Sequence, residues 1–324
     1  MQDWSTKNMP TQWGKLAVVT GATGGLGYDT ALALTVAGAE VIVAGRNAKK
    51  GEAAVKKIMA HEPTGTARFE LLDLADLKQI DAFCKKLIAE DRPVDILVNN
   101  AGVMALPTRQ ETVDGFEMQI GTNHLGHFAL TAGLLPLLIR GREPRVVNVS
   151  SIAHRPGKIN FDDLQSKKHY GPATAYMQSK LANMLFTLEL QKRSDANGWG
   201  LMAVGAHPGY SRTDLIANGP DLHGQAPAFL KLLKQLMEPA CSQSSAQGAL
   251  PQLFAATSPE AKKNGYYGPN GFLEMKGYPA LAVVARQAKD EKGAAKLWEV
   301  SEQLTGAVWQ ATSKTETGTG SRKV

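Results

Sequence analysis

The chain has 324 residues, enough for one large core, and its 43% apolar and 20% charged residues are those of a globular protein, neither disordered nor membrane-embedded. The net charge of +6 is spread over short lysine pairs (49 with 50, 56 with 57, 85 with 86, 167 with 168) and forms no basic stripe with aromatics, which argues against nucleic acid as a partner. No apolar run approaches the roughly 18 residues of an integral membrane segment, residues 1–10 carry no apolar leader, and the two cysteines, Cys84 and Cys241, read as small buried side chains of a reducing, cytoplasmic compartment.

Residues 16–20 read as a short buried strand. Gly21-Ala22-Thr23-Gly24-Gly25-Leu26-Gly27 follows at once, then a helix pattern over 28–37 stopped by Gly38, then a second strand over 40–44. This strand, glycine-rich turn, helix and strand has the length of a dinucleotide-binding unit. Its glycines let backbone N–H groups approach a pyrophosphate at the positive end of the helix, with Gly21, Thr23, Gly25, Leu26 and Gly27 as the contacts. The spacing is G-x-x-G-G-x-G, and a glycine-rich turn without a ligand is the alternative. The second strand ends in Gly45-Arg46 with no acid to accept hydrogen bonds from a ribose. A cation suits a 2′-phosphate, so NADP(H) is expected over NAD(H). Lys49 and Lys50 are candidates to assist Arg46, but read better as surface charges.

A third strand over 68–72 ends in Asp73 and Leu74. Asp73 suits either an adenine amino group or the cap of a helix over 76–90. A fourth strand over 94–98 ends in Asn99-Asn100-Ala101-Gly102, and Asn100, Ala101 and Gly102 are small or amide-bearing enough for close cofactor approach. Strands and helices alternating at this rhythm predict an α/β fold: a Rossmann-type doubly wound parallel sheet of about seven strands, helices on both faces, in a single domain over 1–311. Ligands of such a sheet bind at the carboxyl ends of its strands.

A helix pattern over 113–139 contains Asn123, His124 and His127. The imidazoles have no third ligand at suitable spacing, so no metal site is expected. Asn123 supports either the active site or nearby backbone groups. A fifth strand over 145–149 ends in Ser150 and Ser151, whose hydroxyls would face the ligand cleft. Tyr176 and Lys180 then share one helix face. An ammonium beside a phenol favours the phenolate, so such a tyrosine could exchange a proton near neutral pH; taken alone, the pair reads equally as two common helix-face residues. A sixth strand over 201–206 leads to His207-Pro208-Gly209, where Pro208 and Gly209 present backbone groups to a nicotinamide amide.

Over 214–241 the character changes. Phe229, Leu230, Leu232, Leu233, Leu236 and Met237 form an amphipathic pattern within 222–237, read as a substrate lid, a packed surface helix or a membrane-contacting face. A helix over 246–256, a short strand or turn over 265–268 and a helix over 288–305 with Trp298 in packing close the domain. Residues 312–324 read as a disordered tail.

Taken in order, Thr20 to Gly27, Asn99 to Gly102, Asn123, Ser150-Ser151, Tyr176 to Lys180 and Pro208-Gly209 resemble the short-chain dehydrogenase/reductase family. Asn123 to Phe128, Val147 to Ser151 and Tyr266-Tyr267-Gly268-Pro269 resemble its retinol-dehydrogenase and protochlorophyllide-reductase branch. The resemblance implies that Ser151 hydrogen-bonds the substrate oxygen and Tyr176 is the general acid or base. It also implies that Lys180 lowers the Tyr176 pKa and holds the nicotinamide ribose. Asn123 organises a helix kink and a water leading to Lys180, and Thr213 holds the carboxamide or phosphates. Ser151 lies 25 positions before Tyr176, about twice the family's usual interval, because of a segment over 157–170 that also occurs in this branch.

The expected activity is hydride transfer between NADP(H) and a carbonyl or alcohol carbon of a small hydrophobic substrate. The alternatives are a non-catalytic NADP(H)-sensing protein and a reductase of a protochlorophyllide-like double bond. Self-association into a homo-oligomer is left open.

Overall fold

The structure, a computed structural model, describes residues 3–210 and 243–310. Thr213 and the 214–241 lid segment, Cys241 and the 312–324 tail of the sequence reading lie outside the described residues. One sheet runs through the molecule. Its strands are β1 Leu16–Thr20, β2 Glu40–Gly45, β3 Thr66–Leu71, β4 Ile96–Asn99, β5 Arg145–Val149, β6 Met202–Ala206, β7 Tyr266–Pro269 and β8 Pro279–Leu281, in the order 3-2-1-4-5-6-7-8. The first seven are parallel and β8 pairs antiparallel with β7. The expectation of about seven strands is thus exceeded by one edge strand. Three residues beginning with proline carry too short a pattern to be read as a strand.

The alternation of strand side chains builds two cores. Ala17, Val19, Val41 and Val43 face one side of the sheet. There they meet helices α1 Gly25–Val36 and α2 Ala48–Met59. Leu16, Val18, Ile42 and Ala44 face the other, with α3 Leu77–Ala89. Both faces are covered, which is why these strands are apolar at every position rather than at alternate ones. Side chains fix the helix starts: Asn47 accepts from the Lys50 amide at α2, and Asp76 accepts from the Lys78 and Gln79 amides at α3.

The single long helix expected over 113–139 is three pieces. Residues 113–117 make a turn. Glu117 accepts from the Gln119 and Ile120 amides to start α4 Met118–Ile120, a π turn follows over Gly121–Leu125, and α5 is Gly126–Leu138. Helix α6 Pro172–Asn197 carries Tyr176 and Lys180 in its first turns. Helix α7 Ser245–Thr257 packs on α1, and α8 Glu291–Thr305 packs on α6. Trp298 of α8 is buried against Phe128 and Phe186, the packing role expected of it. Cys84 is buried, and burial pushes its thiol up to about 12.

The chain leaves β1 toward β2 and β3 on one side and returns to place β4 on the other. The carboxyl ends of β1 and β4 therefore open a crevice at the reversal of strand order, the usual ligand position of such sheets.

Candidate active site

The crevice is a cleft of about 380 Å³. Gly21, Thr23, Gly25, Leu26, Gly27, Arg46, Asp73, Leu74, Asn100, Ala101 and Gly102, all expected from the sequence, line it together. The backbone explains the glycines. Gly21 and Gly25 have φ of +65° and +53°, a region that L side chains rarely adopt. A Cβ on Gly27 would meet the Gly21 carbonyl oxygen at 2.5 Å and Asn100 Nδ2 at 2.6 Å. The turn is tied to the next strand by Asn100, whose Nδ2 donates to the Thr20 carbonyl at 2.8 Å. Thr20 Oγ1 accepts from the Asn100 and Ala101 amides at 2.9 and 3.0 Å. Asp73 lines the cleft and braces its own turn by accepting from the Ala75 amide at 2.9 Å. The helix cap also considered for it belongs to Asp76.

Gly102 joins this cleft to the group deeper in the sheet edge. A Cβ there would lie 2.9 Å from Asn123 Oδ1 and 3.6 Å from Lys180 Nζ. Asn123 sits within the π turn, the helix irregularity expected at this residue. Its Oδ1 accepts from the Val103 amide at 2.8 Å, and its Nδ2 donates to the Val103 carbonyl and to Ser179 Oγ, each at 2.9 Å. It thus bonds backbone and α6 at once. Ser150 and Ser151 divide their duties. Ser150 Oγ donates to the Lys180 carbonyl at 2.8 Å, whereas Ser151 Oγ accepts from the Ala153 amide at 3.2 Å and lies close enough to the Tyr176 hydroxyl to favour its ionised form. Lys180 Nζ donates to the Val149 carbonyl at 3.1 Å and stands 5.7 Å from the Tyr176 ring centroid.

The electrostatics differ from the expectation for an isolated tyrosine and lysine pair. Burial pushes the Tyr176 phenol up to about 12, against a smaller downward effect of the Ser151 hydrogen bond. Burial also pushes Lys180 down to about 8. Desolvation is the dominant effect on both groups. The histidines of the π turn region are engaged elsewhere: His124 Nε2 lies 2.9 Å from Ser301 Oγ, and His127 bridges Thr20 Oγ1 and the Asn123 carbonyl at 2.8 and 3.0 Å.

The profile of the short chain dehydrogenase family matches residues 15–221. Retinol dehydrogenase 12 of Mus musculus is 42% identical over 298 residues, 92% of this chain and 88% of the relative. The chain belongs to the short-chain dehydrogenase family. Retinol dehydrogenase 13 of Homo sapiens is 41% identical over 90% of this chain and 85% of its own length. The crystal structure of an uncharacterized protein from Mycobacterium paratuberculosis superposes with a TM-score of 0.78 at 40% identity, covering 95% of this chain and 99% of that one. As a short-chain dehydrogenase, the protein is an oxidoreductase that works with a nicotinamide dinucleotide.

The residues fit that cofactor. The glycine cradle would be filled by any Cβ on Gly27, and the cleft mouth carries the exposed Arg46 and Lys50. Lys50, read from the sequence as a surface charge and a minor candidate beside Arg46, is exposed and lines the cleft one helical turn after Asn47. Pro208 and Gly209 follow β6 at the same sheet edge, with Gly209 at φ +64°. The sequence reading also did not include a buried polar layer behind Ser151. His154 Nδ1 donates to the Ser151 carbonyl at 2.7 Å, its Nε2 accepts from the Ala285 amide at 3.3 Å, and the fully buried Tyr266 stacks on its edge. Among the described residues no helix is long and apolar enough to cross a membrane.

Proposed function

We propose that this short-chain dehydrogenase uses NADP(H) to interconvert a hydrophobic alcohol and its aldehyde or ketone, with Tyr176 as general acid and base. The observation that carries the reading is the placement of the Tyr176 ring beside Lys180 Nζ, with Ser151 next to the phenol, against Gly102 at the inner end of a glycine-lined cleft. The retinol dehydrogenases among its relatives favour an apolar, retinoid-like substrate. Gly21, Thr23, Gly25, Leu26 and Gly27 would hold the pyrophosphate, and Arg46 with Lys50 the 2′-phosphate. Pro208 and Gly209 would meet the carboxamide, and Lys180 the ribose. The nicotinamide, when bound, supplies or accepts the hydride.

Ser151 and Tyr176 converge on one substrate oxygen. In reduction, both donate hydrogen bonds to it as negative charge develops, and Tyr176 passes its proton to the nascent alkoxide. In oxidation, the tyrosine takes the alcohol proton. Lys180 holds a positive charge next to the phenol in the step where it is deprotonated. Asn123, bonded to Ser179 and Val103, ties α6 between Tyr176 and Lys180 to the loop after β4.

The test is Tyr176→Phe, which keeps the ring and removes the exchangeable proton. Reduction of all-trans-retinal, followed by NADPH absorbance, should fall about 10²- to 10⁴-fold with NADPH binding unchanged. Full turnover by a folded, NADPH-binding variant would reject the assignment.

A further inference from the structure

The turn between β7 and β8 reaches over the two loops that frame the reacting end of the cleft, and one carboxylate connects them. Glu274 Oε2 accepts from His207 Nε2 at 3.0 Å and pairs with the Arg155 guanidinium, while Oε1 accepts from the Val283 amide at 2.9 Å. Arg155 ends the short turn that begins at Ser151. His207 immediately precedes Pro208 and Gly209, and its Nδ1 accepts from the Gly209 amide at 3.2 Å. The chain thus runs from the Ser151 turn through Arg155, Glu274 and His207 to the Gly209 backbone, and every link is a hydrogen bond or ion pair.

The backbone around Glu274 is built for this contact. Leu273 and Glu274 have φ of +51° and +57°, two successive non-glycine residues in the left-handed region. Such conformations persist only where surrounding contacts over-determine them, and they concentrate at functional sites. The contacts are present. Tyr210 donates its amide to the Met275 carbonyl at 2.7 Å, and a Cβ on Gly209 would meet that same oxygen at 2.3 Å. A Cβ on Gly268 would fall 1.9 Å from His207 Nε2, so β7 makes room for the imidazole only by having no side chain there. Gln243 completes the hold by donating to the Pro208 carbonyl at 2.6 Å. The His207 side chain is fully buried, and the Glu274 side chain is 15% exposed. Charged hydrogen bonds so shielded are stronger than surface ion pairs and costly to leave half-made.

We propose that Glu274 is a positioning residue: its carboxylate locks the Ser151 turn to the Pro208 and Gly209 loop, so that the donor to the substrate oxygen and the contacts to the nicotinamide amide keep one fixed spacing. This rests on the NADP(H) reading for what the second loop holds, but the link between the loops stands on its own geometry. Hydride transfer depends on the approach of two carbons held by those two loops, and displacements of about 1 Å reduce such rates about a hundredfold.

The experiment compares the full-length protein with Glu274→Gln and Glu274→Ala. Glutamine keeps the shape and an acceptor for the Val283 amide, so it serves where alanine fails to fold. Binding of NADPH and of 2′,5′-ADP, which lacks the nicotinamide half, is measured for each. Amide hydrogen exchange is followed by mass spectrometry in the free proteins. The substitutions should weaken NADPH about tenfold while 2′,5′-ADP binding stays within about twofold. Exchange should rise together over 152–157 and 207–210. An increase confined to 272–276 overturns the proposal, and so does undiminished NADPH affinity. If the unsubstituted protein binds neither nucleotide, the NADP(H) reading fails instead, and the exchange data alone decide whether Glu274 joins the two loops.

Discussion

Tyr176 is held protonated. Burial pushes its phenol up to about 12, so through neutral pH it stands ready as a proton donor. Carbonyl reduction, which consumes that proton, should therefore hold its rate from pH 6 to about pH 8, whereas alcohol oxidation, which needs the phenolate, should climb with pH over the same range. Initial rates in both directions across a buffer series check this, and an oxidation rate already level below pH 7 would contradict it. The proposed choice of NADP(H) rests on Arg46. Its side chain is exposed at the cleft mouth with Lys50 beside it. Arg46→Asp should move the ratio of kcat/KM for NADPH over NADH by about tenfold or more toward NADH, by adding repulsion to the 2′-phosphate and an acceptor for a ribose. An unchanged ratio removes Arg46 from that role. Arg46 was legible in the sequence because it stands where an acid would bind ribose. Lys50 was legible only as a minor candidate beside Lys49, because the folded α2 is what brings its side chain to the cleft.

At the scale of elements, the glycine turn and the π turn do different work. The glycine turn is set by backbone that passes too close for any Cβ. Gly27→Ala would press a methyl against the Gly21 carbonyl and Asn100 Nδ2. Because the opposing atoms include main chain, the strain should lower stability by roughly 1–3 kcal/mol and weaken NADPH binding. Thermal unfolding and nucleotide titration of the variant measure both, and a neutral result would show that the turn can relax. The π turn places Asn123 where one amide meets Val103 and Ser179. Its residues read as uninterrupted helix in the sequence because their apolar spacing is helical on both sides. The turn's contacts run to α6 and to the loop after β4, which local spacing does not record. The turn over 272–276 was illegible for a related reason: a carboxylate paired with residues 67 and 119 positions away leaves no local pattern.

The whole molecule buries several imidazoles in their neutral form. Burial, aided by the neighbouring His127, pushes His124 down from its ordinary 6.5 to about 3. Burial pushes His127 to about 4, with a smaller contribution from Lys180. Below pH 6.5 the unfolded chain binds protons that the folded chain refuses. Stability from these groups is therefore complete above pH 6.5 and is lost as pH falls toward 4, by up to about 1.4 kcal/mol per pH unit for each histidine. His124→Phe, which keeps the contacts with Phe128 and Phe186, should make the acid side of the stability profile shallower. Denaturant unfolding from pH 7 to pH 4 reports the slope, and an unaltered slope would mean that His124 is protonated in the fold. The sequence by itself determined the sheet rhythm, the glycine turn, the family and the tyrosine with its lysine and serine. Each of these is written in local spacing, where periodicity and backbone sterics act over a few residues. Only the tertiary structure decided that burial dominates the phenol's proton affinity and that Glu274 joins the two loops. Those outcomes depend on desolvation and on contacts between strand ends far apart in the chain, and both exist only once the sheet has brought its carboxyl edge together.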